Sequence, residues 1–141
     1  MNNFTIGIII VGFLLLDVAW ISSNKATYNK LVEGVQNDKM VVKIVPAMVA
    51  YFLMVLGYIA ILLPLLKQEG VRNKNVIQLF VIALRYGGIF GLVVYGIYNA
   101  TNMAIFKGYS TSIAIKDTIW GTSVYTILCF VTLLVVRYYR N

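Results

Sequence analysis

Apolar residues run along this chain for about twenty positions at a time, and polar residues collect in the gaps. Four runs stand out: Phe4–Ser22, Ile44–Leu66, Val76–Phe106 and Ile113–Val136. Each approaches or exceeds the about 20 residues that a helix needs to cross a bilayer core. None alternates with period two, so barrel strands are not expected. The pattern predicts an all-α, polytopic membrane protein: an antiparallel four-transmembrane-helix bundle, one domain over 1–141. The first run lacks a basic leader, carries Asp17, and shows no small-x-small site before Lys25. It is therefore expected to be a retained span and not a signal peptide.

The gaps carry their own punctuation. In "SSNKATYNKLVEGVQNDK", Tyr28, Leu31, Val32 and Val35 recur at i, i+3, i+4 and i+7. That spacing predicts a short helix over 27–36 lying at headgroup level, with a plain solvated loop as the alternative. In "KQEGVRNKN", Gly70 is expected to end the second span, and Asn73 or Asn75 to cap the third. In "KGYSTS", Gly108 suits a C-cap and Ser110 or Ser112 an N-cap. Pro46 falls in an early turn, where a free N–H is no loss. Pro64 should kink or stop the second span. Short gaps join antiparallel neighbours, which gives an up-down-up-down order. Lys67, Arg72, Lys74, Arg137 and Arg140 then share one side, against Lys25, Lys30, Lys39, Lys43, Lys107 and Lys116 on the other. Five against six sets no orientation by the positive-inside rule.

Composition supports the membrane reading and removes several chemistries. The chain is 60% apolar and 12% charged, with mean hydropathy +0.83. A soluble domain sits nearer half apolar and a quarter charged, and a chain this short could not bury the excess. The net charge of +7 is spread between the apolar runs, where it meets anionic headgroups. Membrane lipids are the expected partners, and nucleic acid is not. There is no histidine, and Cys129 is the one cysteine. The commonest metal ligand and the commonest general base are thus absent, as are an internal disulfide and a thiolate cluster. Zinc, haem and iron–sulfur groups lack ligands, and no cofactor is expected.

Polar residues inside the runs are the candidates for function, because an Asp at a helix centre costs about 2.5–3.5 kcal/mol to insert. Asp17 lies in "LLLDVAWI", with Trp20 at i+3. Asp117 lies in "IAIKDTIWG", with Trp120 at i+3. "YNATN" holds Asn99, Thr101 and Asn102 near the end of the third run, with Tyr95 and Tyr98 beside them. The topology brings the end of the first span, the end of the third and the start of the fourth to one membrane side. Asp17, Asn99, Asn102 and Asp117 are therefore expected at similar depth, lining a pocket or closing a hydrogen-bonded network. The plainer readings are a dipole-favoured first-turn acid, interfacial Trp anchors and interhelical polar glue. Arg85 is expected to snorkel to the opposite headgroups. Gly87 and Gly91, four apart, permit close helix contact.

"LDVAW", "PAMVAY" at 46–51, "YGIYNATNMA" at 95–104 and "DTIWG" at 117–121 occur in order. Together they resemble the DUF2177 family, small four-span membrane proteins of uncharacterised function, over nearly the whole chain. The resemblance implies the fold and the choice of residues, and no activity. The family pattern has an acid where this chain has Asn99. That departure removes one carboxylate and weakens a proton-coupled or metal role at this position. Three functions remain open. The first is a protein that binds or transports a small molecule, ion or lipid, with Asp17, Trp20, Tyr95, Tyr98, Asn99, Thr101, Asn102, Asp117 and Trp120 around a small polar or amphipathic ligand. The second is an intramembrane enzyme of lipid or isoprenoid metabolism using two carboxylates as acid and base. The third is a structural or assembly protein. A homo-oligomer is compatible with all three.

Overall fold

A computed structural model describes residues 1–140 and the side chains of 1–139; Arg140, counted above among the basic side chains, and residue 141 fall outside the described side chains. Five helices follow one another: α1 (Asn3–Ser23), α2 (Lys25–Gln36), α3 (Ile44–Gln68), α4 (Val76–Ile105) and α5 (Thr111–Arg140). No strand occurs among the described residues. α1, α3, α4 and α5 are long and apolar enough to cross a membrane.

The helix ends obey local capping chemistry. Asn2 opens α1, its side chain accepting the Thr5 N–H at 2.9 Å. Asn75, and not Asn73, caps α4, in a reciprocal capping box with Gln78. Ser110, and not Ser112, caps α5 through the Ile113 N–H at 3.4 Å. α3 ends at Gln68 with Glu69 already extended, so the break precedes Gly70. The C-cap of α4 is the extended Phe106 and not Gly108; Gly108, two residues on, takes φ +84°, the left-handed conformation that glycine adopts without a Cβ penalty. The amphipathic stretch is a helix and not a loop: α2 starts two residues before the expected 27 and buries Leu31.

Pro64 does not stop α3. A wide, π-helical turn over Tyr58–Leu62 precedes it, and the helix then runs on to Gln68. Pro64 has no N–H for the ordinary i→i−4 bond, and the wider turn gives its ring room. A second wide turn over Leu84–Gly88 carries Arg85. The Arg85 guanidinium lies 5.7 Å from the centre of the Tyr86 ring, and the Tyr86 hydroxyl donates to Glu69 at 2.9 Å. This group marks the end of the molecule away from the aspartates.

α5 is the hub. Half of its most apolar window is buried, against 17–28% for the other three spans. Phe13 of α1 and Phe90 of α4 pack on Tyr125, with ring centres 5.1 and 5.0 Å away. Tyr58 of α3 shares a hydrogen bond of 2.8 Å with Thr132. The pairings fix the directions. Thr5 meets Tyr139 while Asp17 meets Trp120, so α1 is antiparallel to α5. Met54 and Tyr58 meet Tyr125 and Thr132, so α3 is parallel to it. Phe80 meets Phe130 while Gly91 meets Gly121, so α4 is antiparallel. The order is up-down-up-down. α4 and α5 touch backbone to backbone: a methyl on Gly91 would overlap the Gly121 carbonyl, and one on Gly87 the Tyr125 carbonyl. The close contact expected of this glycine pair is present.

Candidate functional site

Asp17 occupies the buried stripe of α1, one turn beyond Phe13 and two beyond Ile9. It is 4% exposed. Two neutral donors reach its Oδ1: the Trp120 indole N–H at 2.9 Å and the Tyr95 hydroxyl at 3.1 Å. Tyr95 gets there by crossing Gly121, where any Cβ would collide with its ring. Tyr51 of α3 stands beside the same carboxylate.

Asp117 lies about two turns into α5. Its Oδ1 accepts the Tyr28 hydroxyl at 2.6 Å, a length typical of a strong bond to a charged acceptor. Its Oδ2 accepts the Asn99 amide at 2.9 Å. Asn99, 2% exposed, also donates to the Tyr95 carbonyl at 2.9 Å and to Thr118 Oγ1 at 3.4 Å. Its Oδ1 accepts the Tyr109 hydroxyl at 2.9 Å. The Trp20 indole donates to the Tyr28 hydroxyl at 3.2 Å, and its ring stacks on Trp120 with centres 4.6 Å apart. One continuous network therefore runs from Asp17 through the two indoles to Tyr28, Asp117, Asn99 and Tyr109. It ties α1, α2, α4, α5 and the α4–α5 link at one end of the molecule.

Six of the nine residues singled out by sequence come together: Asp17, Trp20, Tyr95, Asn99, Asp117 and Trp120. Tyr98 and Asn102 meet the rim of the network, where both pair with the Tyr109 hydroxyl, although the Tyr98 ring is 59% exposed. Thr101, exposed on the outer side of α4, does not join it. The reason is helical phase: Tyr95 and Asn99, four apart, share the stripe facing α5. Tyr28, Tyr109 and Thr118 belong to the network and were not singled out. Tyr28 lay on the amphipathic stripe of α2, expected at headgroup level, and is half-buried there. Tyr109 lay in a polar link with no periodicity to mark it. Among the described residues every buried side-chain nitrogen or oxygen has a partner. An open apolar groove, lined by Ile8, Gly12, Phe13, Leu16, Val124 and Leu128, lies between α1 and α5 on the membrane-facing surface.

Burial holds the Tyr28 hydroxyl well above its ordinary titration range, with the Asp117 carboxylate that accepts its proton acting in the same direction. Burial likewise pushes Tyr109 up to about 12. Both phenols are donors throughout the physiological range. No group of three or more His, Cys, Asp or Glu is gathered among the described residues.

The family model described as "Predicted membrane protein (DUF2177)" matches residues 3–134. No curated protein and no solved structure matches the chain.

Proposed function

Since the chain belongs to the DUF2177 family of predicted membrane proteins and is a multi-pass integral membrane protein, a description that names a location and no reaction, we propose from the geometry that it binds a small cation, or carries one across, at the acid cluster. The observation that carries this reading is the state of Asp17. It is almost wholly buried, and every hydrogen bond onto it comes from a neutral group. Asp117 is only partly buried, and its donors, the Tyr28 phenol and the Asn99 amide, are likewise neutral. Two carboxylates at one end of a membrane bundle, held by phenols, an indole and an amide, form a pre-oriented negative site with no cationic side chain bonded to it among the described residues. Ionisable groups at membrane depth are costly, and a positive charge delivered from outside offsets that cost. The stacked indoles add a π face that favours a cation.

The test uses the chain's own two tryptophans: Trp120 bonds to Asp17, and Trp20 reaches Asp117 through Tyr28. Purified protein is titrated with sodium, potassium, ammonium and tetramethylammonium while tryptophan emission is followed. The expected result is a saturable change with at least one cation, lost in Asp17→Asn and in Asp117→Asn. No saturable response to any of the four, or an unchanged response in both variants, would refute the reading. A second reading, a clasp that only fastens helices, is favoured by the complete internal pairing of the network. Under that reading the two variants change melting temperature and no titration.

A further inference from the structure

α2 is fastened to the rest of the protein differently from every other helix. One residue, Asn24, joins it to α1, and Asn24 gives no side-chain cap to α2. Its side chain instead bonds back to the Trp20 carbonyl at 2.9 Å, on the α1 side of the joint. At the other end, Asn37 takes a left-handed φ of 55°, and residues 38–43 run without helix to α3. Of its twelve residues only Leu31 is buried. Three attachments of the helix to the bundle are Leu31, the backbone approach of Gly34 to Gly108, and Tyr28, with Val32 and Val35 half-buried on the same face. Few buried apolar contacts place a segment at the low-stability end of a fold.

The strongest of these three attachments lands on the acid cluster itself. Tyr28 donates to Asp117 at 2.6 Å and accepts from Trp20 at 3.2 Å. Lifting α2 about Asn24 breaks both bonds together, uncovers Trp20, and frees one oxygen of Asp117 toward the water side. We propose that α2 is a lid over the acid cluster, hinged at Asn24 and latched by Tyr28 on Asp117. A cation reaching Asp117 from water competes with the latch for the same carboxylate, so occupancy and lid position are coupled. That purpose rests on the cation reading above; the movement itself does not depend on it.

The experiment is a labelling rate. Leu31→Cys places a thiol on the buried face of α2, in a chain whose own Cys129 is fully buried. A water-soluble maleimide is added in detergent, with and without Tyr28→Phe. Lys30→Cys, on the exposed face, supplies the rate for an open site. Loss of a hydrogen bond to a charged acceptor is expected to speed Leu31→Cys labelling about tenfold or more, with Lys30→Cys labelling unchanged. Should Leu31→Cys not fold, acrylamide quenching of tryptophan emission in Tyr28→Phe against the unsubstituted chain takes its place, with stronger quenching expected. An unchanged rate, or unchanged quenching, overturns the lid. No cation is added in either measurement, so a chain that binds no cation still reports on the lid, and a fixed α2 leaves the binding titration valid.

Discussion

Trp20 and Trp120 stack face to face, ring centres 4.6 Å apart and planes 3° from parallel, although they come from the first and last spans. Each indole also donates a hydrogen bond into the acid cluster, one to Tyr28 and the other to Asp17. The stack is thus the point where the two acids are joined. Two parallel indoles at this separation couple their transitions, so the far-UV circular dichroism should carry an exciton couplet. Trp20→Phe and Trp120→Phe should each abolish it, and the double variant should look like either single one. Each substitution should cost about 0.5–1.5 kcal/mol beyond its lost area, read as a lower melting temperature in detergent.

The glycines divide into two groups with opposite expectations. Gly91→Ala and Gly87→Ala drive a methyl into the backbone carbonyls of Gly121 and Tyr125. Each should destabilise the bundle by about 1–3 kcal/mol, the usual range for overpacking. Gly7→Ala and Gly12→Ala meet open space on α1. These should be neutral or stabilising by up to about 1 kcal/mol, because Ala outranks Gly in a helix interior. Thermal melting of the four variants separates the two groups.

Asn99 is an amide where both of its polar ends are used: Nδ2 donates to Asp117 and Oδ1 accepts from Tyr109. Asn99→Asp has the same shape, but it turns a donor into an acceptor facing a carboxylate at 2.9 Å. The isosteric change should therefore cost more stability than Asn99→Ala, which removes the amide without adding charge. A difference of about 1–3 kcal/mol follows from leaving a buried polar group unsatisfied, measured by melting both variants in the same detergent.

Alkali tests the phenol donors outside the spans. Tyr109 titrates at about 12 in the folded protein instead of its ordinary 10.0. Its stabilising contribution is full below pH 10.0, and falls as the pH rises from there through about 12, because only the unfolded chain releases the proton readily in that window. Tyr28 is displaced in the same direction. The melting temperature should fall across this interval. Tyr109→Phe should fall less steeply, since it removes one of the groups responsible; an equally steep fall would show that Tyr109 takes no part.

The four spans were legible because a membrane helix needs a long apolar run and nothing else imitates one at this length. Asp17, Asp117, Trp20, Trp120 and Asn99 were legible because polar groups in such runs must face protein, and the topology left one end for them to share. What stayed hidden depended on angle and not on sequence distance. Thr101 looks like part of "YNATN", yet a helix turns about 100° per residue and carries it to the outside. Tyr109 sits in a link whose path no periodicity describes. The hub position of α5 was hidden as well, because all four runs are apolar on every face and only packing shows which one is enclosed.

The indole N–H resonances offer the most direct check that both acids belong to one network, because the chain has only two tryptophans. In a nitrogen–proton correlation spectrum of the detergent-solubilised protein, Asp17→Asn should move the Trp120 signal, and Asp117→Asn should move the Trp20 signal through Tyr28. If neither indole signal responds to either substitution, the acids do not meet the tryptophans and the cluster does not exist as described.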